Sequence, residues 1–200
     1  LLALWDVADY VVLNVSSPNT PGLRTLQDPA RLGYLVERMV QLDRELAQLH
    51  GEPSRPLFVK VALDVEEIVL DEIVETLVAT GAAGLVLGNT STDPALWPAG
   101  GEGLPGGVSG RPLRKRAVER LVRAAERAGE RLVLVSVGGV MTVEDAVERI
   151  RLGAHLVQLC TGLVYRGPGF PAAVLRHLLH ILEKEGIQSV GALRGRSLRY

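Results

Sequence analysis

Strand and helix signals alternate along this 200-residue chain, and the alternation predicts an α/β fold organised around a parallel sheet. Three observations carry that prediction. Five short runs rich in valine and leucine recur, each followed by a longer stretch with helical signals. The runs stay apolar on successive residues, as strands do when both faces of a sheet are covered. Glycines cluster behind the fourth and fifth runs, in Val137-Gly138-Gly139 and in Thr161-Gly162 followed by Gly167-Pro168-Gly169.

Taken in order, Tyr10–Val15 is the first strand. A helix follows from about Pro29 to Leu49, with Asp28 as N-cap and proline at the first helical position. Leu57–Ala62 is the second strand, and Val65–Thr80 a helix opened by Asp64 and stopped by Gly81. Gly84–Leu87 is the third strand. The Gly/Pro-rich connection from Gly88 to Pro112 is too long for a simple turn and reads as a functional loop. A helix at about Leu113–Ala128, a strand at Leu132–Val137 and a helix at Val143–Leu152 capped by Thr142 come next. His155–Leu159 is the fifth strand, and a last helix runs from about Pro171 to Glu185, where Gly186 ends it. Within that helix the Val174–Leu182 stretch reads as the core-facing side.

The position of the glycines chooses between two parallel architectures. A dinucleotide-binding sheet places its glycine loop after the first strand, and no G-x-G-x-x-G occurs there. A (β/α)8 barrel binds phosphate in the loops after its last two strands. The chain is therefore expected to supply about the last five βα units of a TIM barrel, as one domain over residues 1–200. The first three units are expected to lie outside a chain that begins at Leu1, with open strand edges as a hazard for the isolated piece.

Bulk properties narrow the function. With 22 Lys and Arg against 23 Asp and Glu, interspersed, no basic surface for nucleic acid is expected. The arginines of the Arg114–Arg127 helix are interrupted by Glu119 and Glu126 and read as a solvated face. The single cysteine, Cys160, excludes an internal disulfide framework. No apolar run is long enough to span a membrane, no signal peptide is visible, and the four histidines form no metal pattern.

The densest chemistry lies at Asn14-Val15-Ser16-Ser17-Pro18-Asn19-Thr20-Pro21-Gly22-Leu23-Arg24, directly after the first strand. A turn needs only one or two such residues. Polar groups massed at the C-terminal end of a parallel strand stand where these folds place ligands. Lys60, inside the apolar run Phe58-Val59-Lys60-Val61-Ala62, either reaches the sheet's mouth or meets an anion, because an unpaired buried ammonium is costly. Gly138 and Gly139 precede a helix and suit close approach of a phosphate.

The Asn14–Arg24 string resembles the catalytic loop of the class 2 dihydroorotate dehydrogenases. Phe58-Val59-Lys60-Val61-Ala62, Gly88-Asn89-Thr90, Gly106-Gly107-Val108-Ser109-Gly110-Arg111-Pro112-Leu113, Val137-Gly138-Gly139-Val140 and Gly153-Ala154-His155-Leu156-Val157-Gln158-Leu159 follow in that family's order. The resemblance implies FMN as cofactor, bound by Asn14, Lys60, Gly88, Gly110, Gly139, Cys160 and Thr161. It implies Asn14, Asn19, Asn89 and Thr90 as readers of dihydroorotate and orotate, for which carboxamides are suited as both donors and acceptors. Ser17 matches the base that takes the C5 proton while hydride leaves C6 for flavin N5, and Thr20 a residue in the proton relay. Lys60 matches a lysine that stabilises the reduced, anionic flavin.

A serine base points to the class re-oxidised by a quinone, working in pyrimidine synthesis. It also implies peripheral contact with an inner membrane (cytoplasmic side if bacterial) through an N-terminal region outside this chain. Gly88, Leu63, Ser136 and Cys160 stand where the family commonly has threonine, proline, glycine and tyrosine. Two alternatives are carried forward: another FMN barrel of the dihydrouridine synthase kind, and a catalytically inert fragment. The chain alone is expected to be marginally stable and to turn over little.

Overall fold

A computed structural model describes residues 1–101 and 104–198. Positions 102 and 103 of the expected Gly88–Pro112 connection lie outside the described residues. Five strands, β1 (Val11–Asn14), β2 (Leu57–Val61), β3 (Gly84–Leu87), β4 (Val133–Val137) and β5 (Leu156–Gln158), form one sheet in the order β1-β2-β3-β4-β5. Every neighbouring pair is parallel. Helices α1 (Pro29–His50), α2 (Glu67–Thr80), α3 (Arg114–Ala128), α4 (Val143–Arg151), α5 (Thr161–Arg166), α6 (Phe170–Glu185) and α7 (Val190–Leu193) complete it.

Strand order equal to chain order is that of a singly wound barrel wall; a doubly wound sheet reverses direction near its middle. The packing agrees. Leu57, Val59 and Val61 of β2, Leu85 and Leu87 of β3 and Leu134 of β4 share one core with Leu32 and Val36 of α1, Ile73 and Leu77 of α2, and Leu121 and Ala124 of α3. The opposite sheet face carries a separate cluster of Phe58, Val86 and Val135, to which no helix contributes. Lys60 alternates onto this second face with Phe58. Burial on both faces, by helices on one side and by neighbouring strand side chains on the other, is what makes these strands read as unbroken apolar runs.

Local chemistry sets the helix ends. The Asp28 carboxylate accepts from Arg31 N at 3.1 Å, as its N-cap position requires, and Gly51, Gly81 and Gly186 take the left-handed conformation at the ends of α1, α2 and α6. Thr142 and Asp145 form a capping box on α4. One expected cap is corrected. Helix α2 starts at Glu67 rather than Val65, and Asp64 does not cap it, because its carboxylate is engaged by a network from other elements.

Two further expectations change. The solvated face of helix α3 is also a paired one: Arg120 and Arg123 pair with Glu67, Arg123 with Asp71 and Arg127 with Glu75, and Arg131, three residues past the helix, pairs with Glu75 too, a ladder along α2. Of the Val174–Leu182 stretch, Leu178 is buried and Val174, Ile181 and Leu182 pack beside it on Val147 and Ile150. Leu175 and Leu179 are exposed. Leu156 of β5, Val164 and Tyr165 of α5, and Tyr10 just before β1 are exposed as well. Among the described residues no helix is long and apolar enough to cross a membrane.

Candidate active site

The C-terminal ends of the strands open on a cleft of about 280 Å³. Its walls come from the end of β2 (Lys60), the loop after β3 (Asn89, Thr90), the Ser109-Gly110 turn, the Gly138–Met141 turn after β4, and Gln158 to Gly162 after β5. Seven expected site residues therefore meet in one place: Lys60, Asn89, Thr90, Gly110, Gly139, Cys160 and Thr161. Asn14, Ser17, Asn19, Thr20 and Gly88 are not on its wall.

Asn14 is nevertheless tied to the cleft. Ser16 Oγ donates to Asn14 Oδ1 at 2.8 Å and accepts from Asn89 Nδ2 at 2.9 Å, so one fully buried hydroxyl joins the asparagine that ends β1 to the one in the loop after β3. Asn89 Oδ1 in turn accepts from Thr90 N at 2.8 Å. Ser17 is half-buried, and its Oγ accepts from Asn19 N at 3.3 Å. Asn19 and Thr20 are exposed at the tip of the same loop. Gly88 is buried at φ 135°, where a Cβ would stand 2.3 Å from Val137 O. A side chain there is excluded by the β4 backbone.

Arg24 fastens the two loops together. Its Nε donates to Ser16 O at 3.1 Å, Nη2 to Thr90 O at 2.9 Å, and Nη1 to Asp64 Oδ2 and Thr92 Oγ1, each at 3.1 Å. Asp64 also accepts from Arg116 at 3.1 Å, from Ser91 Oγ and from Thr92 N. Sequence reading missed Ser16, Arg24, Asp64 and Arg116 as site residues. The signal for Arg24 was present, since it closes the polar string quoted above; Asp64 was hidden by its resemblance to an ordinary helix cap.

The electrostatics favour an anion. Lys60 is half-buried, and burial lowers its pKa from the usual value while the facing Cys160 acts in the opposite direction. It has no carboxylate partner among the described residues. The N–H groups of Gly138, Gly139 and Val140 likewise meet no protein acceptor among the described hydrogen bonds. Around the cap of α4, by contrast, Met141 N and Thr142 N donate to Asp145 Oδ2, and Asp145 N donates to Thr142 Oγ1. Gly139 sits at φ 74° with its Cα against Arg114, where a Cβ would fall 2.4 Å from Arg114 Cα. Gly110, also at φ 74°, faces Thr161, whose Oγ1 lies 3.0 Å from Ser109 Oγ. Among the described residues no group of three or more His, Cys, Asp or Glu side chains is placed to hold a metal ion.

Fold and site together define a singly wound βα-barrel domain with an anion-accepting cleft at the C-terminal ends of its strands. The dihydroorotate dehydrogenase family model matches residues 2–182, and the chain belongs to that family. It is 45% identical over 192 residues to the dihydroorotate dehydrogenase (quinone) of Anaeromyxobacter dehalogenans, covering 94% of this chain and 50% of that protein. It is 42% identical to the enzyme of the same name from Thermobifida fusca, covering 95% of this chain and 50% of the relative. A crystal structure of the Eimeria tenella enzyme in complex with ferulenol superposes with a TM-score of 0.85 at 31% identity, over all of this chain and 57% of that one. The chain spans about half the length of the curated relatives it matches. Its five-stranded sheet is part of their TIM barrel, and the dihydrouridine synthase alternative is not favoured.

Proposed function

We propose that residues 1–200 form the C-terminal part of a single FMN-binding catalytic domain that oxidises (S)-dihydroorotate to orotate in pyrimidine synthesis and is re-oxidised by a quinone. The observation that carries the reading is the convergence of the unpaired amides of Gly138 to Val140, the half-buried Lys60 and the Asn89-Thr90 pair on one cleft. The glycine turn lines the cleft with amide N–H groups that meet no protein acceptor among the described hydrogen bonds, which fits the phosphate of a flavin mononucleotide.

FMN, when bound, supplies the hydride acceptor. Gly139, Cys160 and Thr161 would hold its phosphate, Gly110 would contact it from the facing turn, and Lys60 would supply positive charge to the reduced, anionic ring. Asn14 and Asn89, held to one another through Ser16, present carboxamides to the ring amides of dihydroorotate, with Asn19 and Thr90 beside them. Ser17 Oγ takes the proton from C5 as its own hydroxyl proton passes through Thr20, exposed at the loop tip, to solvent. A serine hydroxyl is a weak base, so this step depends on the loop holding Ser17 in line with the substrate. Peripheral attachment to a membrane, on the cytoplasmic side if bacterial, brings the quinone within reach.

The test is an anaerobic titration of the full chain with FMN, followed by dihydroorotate. Bound flavin that bleaches in the wild type and stays oxidised in Ser17→Ala supports the reading. Flavin that binds and ignores dihydroorotate overturns the substrate. Failure to bind flavin identifies these residues as an inert portion of the domain when isolated.

A further inference from the structure

Behind the glycine turn lies a charged side chain that the proposed chemistry does not use. Arg149, on α4, is fully buried and among the largest such side chains of the protein. It forms no ion pair among the described residues. The acids on its own helix are committed elsewhere, Asp145 and Glu148 both to Arg114, at 2.5 and 2.7 Å. Its Nη2 donates to the carbonyls of Gly138 and Arg114, each at 3.1 Å, and Nη1 lies 3.4 Å from Ser136 Oγ. Its Nε has no hydrogen-bond partner among the described residues. Burial pushes its pKa down to about 10, so the guanidinium is still charged at neutral pH.

A buried cation served only by carbonyls and a hydroxyl is a costly arrangement unless an anion completes it. The bond to Gly138 O shows how one could. That oxygen belongs to the same peptide plane as Gly139 N–H, and in a trans peptide the two point in opposite directions. Fixing the oxygen on Arg149 directs the Gly139 N–H away from it, and drawing electron density onto the oxygen makes that N–H a stronger donor. Gly139 lines the cleft, and its N–H meets no protein acceptor among the described residues.

We propose that Arg149 is a positioning residue for phosphate recognition: it clamps and polarises the Gly138–Gly139 peptide from behind, so that Gly139 N–H is presented to a phosphate monoester in the cleft. The ligand class rests on the flavin reading; the clamp does not. Arg149 touches neither ligand nor reacting atoms.

Riboflavin, which is FMN without the phosphate, separates the effect from general damage. Affinities for FMN and riboflavin are measured by flavin fluorescence on wild type, Arg149→Met and Arg149→Lys, each checked for folding by circular dichroism. Gly138 and Gly139 amide shifts in ¹⁵N-glycine-labelled protein are followed during titration with inorganic phosphate. The expected result is a loss of about 10- to 100-fold in FMN affinity for Arg149→Met, the range for a charge-assisted hydrogen bond, with riboflavin affinity unchanged. Arg149→Lys, which keeps the charge and reaches fewer acceptors, falls between, and it carries the test alone if the methionine variant does not fold.

Equal losses for both flavins, or a wild type that binds them equally, would overturn the proposal while leaving the flavin reading intact. A wild type that binds neither flavin would overturn that reading for this polypeptide. The phosphate titration then decides for the clamp: a Gly139 amide shift weakened in Arg149→Lys supports it, and no shift in the wild type defeats it.

Discussion

Replacing Arg24 by alanine should loosen the site without unfolding the domain. Arg24 is the only side chain that binds the backbone of both the Ser16 loop and the Thr90 loop among the described hydrogen bonds. Its two carbonyl bonds are each worth about 1 kcal/mol once a quarter-exposed side chain is allowed for. The pair with Asp64 adds about 1 kcal/mol at this partial exposure. Asp64 is not left orphaned, since Arg116, Ser91 and Thr92 still donate to it, so no burial penalty follows. The sum, about 3 kcal/mol, is a little over a hundredfold in the equilibrium for local opening.

Native-state hydrogen exchange reads that opening directly. Ser91 N and Val108 N are bonded reciprocally to each other's carbonyls at 3.0 and 2.8 Å, beside the groups that Arg24 holds. Their exchange should accelerate by about a hundredfold, whereas the Leu85 amide in the middle of the sheet should not change. Unaltered Ser91 exchange would refute the clamp, and an equal acceleration at Leu85 would show that Arg24 supports the whole fold instead.

The other expectations concern charge and backbone. Lys60→Met should raise stability at pH 7, because burial lowers the lysine pKa and the fold bears the cost of the charge below that value; denaturant unfolding measures it. The same variant should reduce flavin more slowly. His155, whose Nδ1 accepts from Leu134 N at 3.0 Å, is held neutral mainly by burial, helped by Arg194 and opposed by Glu130. Its stabilising share is complete above the usual value of 6.5 and drains away as pH falls from there toward its lowered folded value. Unfolding curves at pH 7.5 and 5.5 should therefore differ less for His155→Asn than for the wild type. Gly139→Ala should cost about 3 kcal/mol, combining a left-handed backbone with a clash against Arg114, and lower Tm by roughly 6–12 °C. Gly51→Ala, at φ 66° with open space around it, should cost only about 1 kcal/mol.

The inner strands β2, β3 and β4 were legible because side chains cover both their faces, and Gly84–Leu87 matches its expectation residue for residue. Helix starts with a local hydrogen-bond logic, such as Asp28 and Thr142, were legible for the same kind of reason. What escaped depends on distance in sequence. Asp64 obeys the local rule for a cap, yet Arg24, 40 residues away, and Arg116, 52 away, recruit it. Helix α5 begins within a glycine-rich stretch and is six residues long, too short to leave a period. In the site, the residues on the cleft wall came from motifs, whereas Ser16 and Arg149 act by joining motifs, and nothing in their immediate neighbours announces it.

The rungs between α2 and α3 bear on how such a chain chooses its neighbours. Each βα unit presents much the same aliphatic surface, so aliphatic packing alone would distinguish poorly among ways of ordering them. Glu67, Asp71 and Glu75 mark one helix with a negative stripe, and Arg120, Arg123 and Arg127, continued by Arg131 just past its end, mark the next with a positive one. Two copies of either stripe repel, and a slide by one turn would leave end charges unmatched. The ladder adds little net stability where it is exposed. Its consequence is to act as an address, telling α3 which helix to lie beside while the sheet assembles.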